Sequence, residues 1–106
     1  MKNYNKLVRD NIPQILENNG QIGHFKVLNE NEYRLKLRQK LKEEVNEYLL
    51  AENDDSCIEE LSDIIEVIHS LAGVHKQSVE SLEKRRLEKL TERGGFKNRI
   101  MLIATE

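Results

Sequence analysis

Cysteine is all but missing from this chain: Cys57 stands alone among 106 residues. A single thiol excludes an internal disulfide and any CxxC metal site, and it fits a reducing compartment. Tryptophan is absent, and two Phe with three Tyr make up all the aromatics, which say little about how a base would be read. Neither charge sign dominates. Charged residues form 34% of the chain, yet the net charge is only −2, so there is no concentrated positive surface to hold nucleic acid non-specifically. No apolar run approaches membrane length, and Met1-Lys2-Asn3-Tyr4-Asn5-Lys6 lacks the apolar centre of a signal peptide. The expectation is a soluble cytoplasmic protein with no membrane contact and no stable nucleic-acid partner.

What is present reads as helix. The length suits one domain over 1–106 with a small core, of the kind that dimerisation often completes. Asn11 is placed to cap a short helix over Pro13 to Asn19, with Gly20 just past its end. Asn29-Glu30-Asn31-Glu32 offers a cap for a long helix reaching about Glu52. Asn53-Asp54-Asp55 has the composition of a turn, and Ser56-Cys57-Ile58-Glu59 forms a capping box for a helix to about Gly73. So short a linker folds the two long helices into an antiparallel hairpin. A fourth helix is expected over Ser78 to Arg93, burying Val79, Leu82, Leu87 and Leu90 and stopped by Gly94-Gly95. His24 to Leu28 and Ile100 to Ala104 are β-prone and could pair. The expected fold is an all-α bundle of about four helices, with a possible short β pair.

Two carboxylate pairs stand out, Glu44-Val45-Asn46-Glu47 and Glu60-Leu61-Ser62-Asp63. At i, i+3 spacing each pair shares one helix face. ExxE spacing is cheap in a chain with fifteen Glu, and for Glu80 and Glu83 a solvated face suffices. The central pairs differ because of where they fall. One apolar seam runs Leu37, Leu41, Glu44, Tyr48, Ala51, and the other runs Cys57, Glu60, Ile64, Val67, Leu71, Val74. Glu44 and Glu60 thus occupy positions otherwise given to core residues, where an unpaired carboxylate must be protonated, paired or metal-bound. The bland alternative is a charged surface laced with Arg38, Lys40 and Lys42. The hairpin, however, sets Glu44 and Glu47 beside Glu60 and Asp63. An all-oxygen donor set selects Mg²⁺, with Mn²⁺ possible, over zinc, iron or copper.

Lys42-Glu43-Glu44-Val45-Asn46-Glu47 followed by Glu60-Leu61-Ser62-Asp63 resembles the EExxE…ExxD signature of the all-α nucleoside triphosphate pyrophosphohydrolases. That superfamily includes MazG-like proteins, phosphoribosyl-ATP pyrophosphohydrolases and dimeric dUTPases. Lys6-Leu7-Val8-Arg9-Asp10-Asn11-Ile12-Pro13 and the stretch from Lys89 to Phe96 look like a small single-domain subgroup. The resemblance implies Glu44, Glu47, Glu60 and Asp63 as Mg²⁺ ligands and Glu43 as an outer-shell or water-orienting carboxylate. Glu43, Glu44 and Glu47 are then the candidate catalytic residues. It also implies a homodimer or dimer of dimers, and hydrolysis of a nucleotide's α–β anhydride to the monophosphate form and pyrophosphate.

Such chemistry needs cations for phosphate. Lys6 and Arg9 near the start, with Arg93 and Lys97 around Gly94-Gly95, are the candidates, although Arg93 before two glycines also reads as an ordinary helix end. No Ser or Cys nucleophile arrangement is visible, which favours direct attack by water. Two alternatives stay open from the sequence: phosphoribosyl-ATP hydrolysis, and a non-catalytic dimeric helical module.

Overall fold

Backbone caps set the helix limits. The computed structural model describes residues 2–106, and Met1 lies outside them. Four helices follow one another: α1 (Ile12–Asn18), α2 (Glu30–Leu50), α3 (Asp54–Val74) and α4 (Val79–Arg93). Pro13 opens α1 and Asn11 takes the cap position, but the Asn11 side chain makes no capping bond. The end of α1 is closed by backbone instead. The N–H of Gly20 donates to Glu17 O and that of Gln21 to Leu16 O, with Gly20 at φ +73° as such a closure requires. Asn29 caps α2 by accepting from the Glu32 N–H at 2.9 Å.

The start of α3 corrects the expected turn. Asn53, not Ser56, is the cap, accepting from the Ser56 N–H at 2.8 Å. Asp54 and Asp55 therefore belong to the first turn, where their charge complements the helix dipole. Only Ala51, Glu52 and Asn53 remain to join the two long helices. Asn53→Ala is expected to cost about 1 kcal/mol, read as a lower melting temperature. Ser56→Ala, which keeps its backbone donor, should cost less; the reverse order would return the cap to Ser56.

Helices α2 and α3 supply nearly all the packing between elements. Their contact line is the expected seam: Leu37, Glu44 and Val67 are buried, while Leu41, Tyr48, Cys57, Ile64 and Leu71 are half-buried. Helix α4 meets α3 only briefly, and its apolar residues Val79, Leu82, Leu87 and Leu90 are exposed rather than buried. The physical reason is geometric, because α4 does not fold back along α3, so its apolar stripe and the uncovered stripe of α3 do not meet. The result is an elongated molecule, 60 × 35 × 25 Å.

No strand forms among the described residues. Both segments expected to pair are irregular, with Val27 and Ile100 to Ile103 open to solvent. An isolated strand pair is marginal in water unless an apolar face packs on something, and here nothing covers it. No helix among the described residues is long and apolar enough to cross a membrane.

Candidate metal centre

The last turns of α2 and the first turns of α3 bring five carboxylates together. They form two overlapping groups, Glu43–Glu44–Glu47 and Glu44–Glu60–Asp63, in each of which one oxygen per residue lies within 4.8 Å of the others. Glu44 is common to both. It is also the most enclosed, with 6% of its surface exposed. Oxygens trans to one another on a Mg²⁺-sized ion stand about 4.2 Å apart, so small side-chain rotations bring either group to bonding distance.

Among the described residues, charge compensation is partial and comes from three cations. Lys40 Nζ stands 3.4 Å from Glu44 Oε1 and 3.5 Å from Glu43 Oε1. Lys6 Nζ lies 3.9 Å from Glu43 Oε1. Arg9 Nη2 donates to Asp63 Oδ1 at 2.6 Å. Two oxygens are left over: Glu44 Oε2 and Glu60 Oε2 are shut from solvent and have no hydrogen-bond partner among the described residues. A buried acceptor without a donor is costly, and an oxygen-seeking cation is the group that would satisfy both. The donor set therefore fits Mg²⁺ or Mn²⁺.

The Glu60 carboxyl is raised above its ordinary pKa. Burial is the main cause, followed by a hydrogen bond with the Glu47 carboxyl and the charges of Glu47, Glu44 and Asp63. A carboxyl raised in the folded state binds protons that the unfolded chain has released, so it stabilises the fold at low pH and loses that contribution as pH rises through its folded value. Without divalent metal, melting temperature is therefore expected to rise as pH falls toward 4.5, the ordinary value for this group. Glu83 is lowered by its hydrogen bond from Arg86, so its effect lies below that window and has the opposite sign. Glu60→Gln should flatten the upper limb; a variant with the wild-type slope would remove Glu60 as its source.

Of the residues singled out from the sequence, Glu43, Glu44, Glu47, Glu60, Asp63, Lys6 and Arg9 are together. Arg93 and Lys97 are not: both are exposed, past or at the end of α4, and neither makes an ion pair with the cluster. Lys40 was read as part of a charged surface and instead lies inside the site, four residues before Glu44 and three before Glu43. That i, i+4 spacing was the available signal. No family model matches the chain, and no curated protein or solved structure matches it either.

Proposed function

We propose that the protein is a Mg²⁺-dependent nucleotide pyrophosphohydrolase, acting as a homodimer or dimer of dimers on the α–β anhydride of a nucleoside triphosphate or related nucleotide. The observation that carries the proposal is Glu44: a buried carboxylate shared by two acidic groups, with one oxygen unpartnered. Glu44, Glu47, Glu60 and Asp63 would hold the metal, which when bound supplies neutralisation of phosphate charge and orients the anhydride.

The remaining work falls to this chain's side chains. Glu43 is half-buried and held by Lys40 and Lys6 at the rim of the cluster, a place from which it can accept the proton of an attacking water. Lys40 lowers the net charge of five neighbouring carboxylates and leaves Glu44 Oε2 free. Lys6 and Arg9 already lie against the carboxylates and offer cations to phosphate oxygens. Arg93 and Lys97 have no role in this arrangement unless the segment after Gly94 folds toward the nucleotide.

The test is pyrophosphate release from a panel of normal and modified nucleotides. It is expected with Mg²⁺ and absent with EDTA. Orthophosphate as the first product, or no turnover across the panel, would refute the reading. Turnover confined to phosphoribosyl-ATP would assign the narrower activity.

A further inference from the structure

Residues 2–11 precede α1 and are tied to both long helices beside the acidic cluster. Three polar ties hold this strap. Lys36 Nζ of α2 donates to Asn5 O at 3.3 Å, Lys6 lies near Glu43 of α2, and Arg9 is bonded to Asp63 of α3. Two of the three therefore end on carboxylates of the candidate site. The Arg9–Asp63 tie also occupies Oδ1 of a proposed ligand.

Arg9 and a divalent cation cannot both use Asp63 at full strength. A metal at about 2.1 Å from a carboxylate oxygen places a double positive charge next to the guanidinium. The ion pair is open to water, with 57% of the Arg9 side chain and 39% of Asp63 exposed. Pairs of this kind are worth a factor of about five in an equilibrium at most, so the contact yields readily. Lys40 is different: it is 19% exposed and shared between two carboxylates, and it stays. A released Arg9 presents a planar fork of donors matched to a phosphate.

We propose that the strap is a displaceable latch: Arg9 neutralises Asp63 in the metal-free protein and moves to a substrate phosphate once Asp63 is engaged by a divalent cation. The inference rests on the metal-site reading above. Its consequence is linkage. Metal binding frees the phosphate-binding group, so a polyphosphate must in turn favour metal binding by the same factor.

The experiment is calorimetric titration of the full chain with Mn²⁺, then with inorganic tripolyphosphate at saturating Mn²⁺, for the wild type, Arg9→Gln and Arg9→Lys. Arg9→Gln is expected to bind Mn²⁺ about threefold to fivefold tighter and tripolyphosphate at least about fivefold weaker. Arg9→Lys, which keeps the charge and loses the fork, should fall between for both. Amide exchange of residues 5–11 should quicken when the wild type takes up Mn²⁺. Opposite shifts in the two affinities separate a latch from a structural ion pair. Unchanged or weaker Mn²⁺ binding by Arg9→Gln overturns the latch while leaving the metal centre standing. A wild type that takes up no Mn²⁺ overturns the metal centre, and the latch with it.

Discussion

Glu44→Gln is expected to reduce Mg²⁺-dependent pyrophosphate release by more than about a hundredfold while the helical hairpin stays folded. Loss of groups that only orient metal ligands typically costs about 10–100-fold, and Glu44 stands at the overlap of both carboxylate groups. Glutamine keeps the shape of a side chain that is 94% enclosed, so no cavity opens at the seam. Its amide oxygen still accepts from Lys40, and Lys40 retains Glu43 at 3.5 Å. Neutralising one of five neighbouring carboxylates also relieves repulsion in the metal-free protein. Melting temperature without metal should therefore hold or rise as activity disappears. Glu60→Gln should behave alike. Glu80→Gln, altering the exposed ExxE pair of α4, should retain turnover and serves as the control. Near-wild-type turnover by purified Glu44→Gln would remove the metal role from this residue.

The separation of that site from its surroundings was legible because it breaks a pattern. A seam that reads Leu, Leu, Glu, Tyr, Ala declares both the helix face that is buried and the carboxylate that is anomalous there, and the packing of α2 on α3 follows it residue by residue. The cap at Asn29 was equally readable, since Asn followed by Glu in a first turn has a local cause. What failed to show depends on partners distant in the chain. Asn53 and Ser56 both suit a cap, and only the backbone path between two packed helices decides between them. Lys40, unlike Arg38 or Lys42, has Glu at both i+3 and i+4, so its pairs with Glu43 and Glu44 had a local signal, whereas the packing of α3 that encloses them did not. The apolar stripe of α4 and the two β-prone segments announce burial, but no sequence pattern says which surface does the burying.

That unburied surface gives the second large effect: Ile68→Asp is expected to dissociate the assembly and to unfold much of the chain. A folded monomer of 12.4 kDa exposes about 6,100 Å², whereas this chain alone exposes 10017 Å². Its radius of gyration is 18.0 Å against about 13 Å for a compact domain of this length. Extended ends contribute to the excess, but a continuous part of it lies on α3. There Ile58, Leu61, Ile65 and Ile68 form a second stripe facing away from α2, and all four are exposed. Only Leu37, Val67 and Ala72 are buried apolar residues among those described, too few to stabilise a domain against its conformational entropy. The proposed second copy would cover this stripe through a two-fold apolar contact of the size that obligate dimers use. Aspartate on a solvent-facing stripe costs little, whereas in such a contact it leaves an unpaired charge buried, at a cost of several kcal/mol. Light scattering and far-UV circular dichroism distinguish the cases, with Gln39→Asp on the exposed side of α2 as the neutral comparison. If the wild type proves a stable monomer at micromolar concentration with full activity, or if Ile68→Asp matches Gln39→Asp in both measurements, α3 has no second partner.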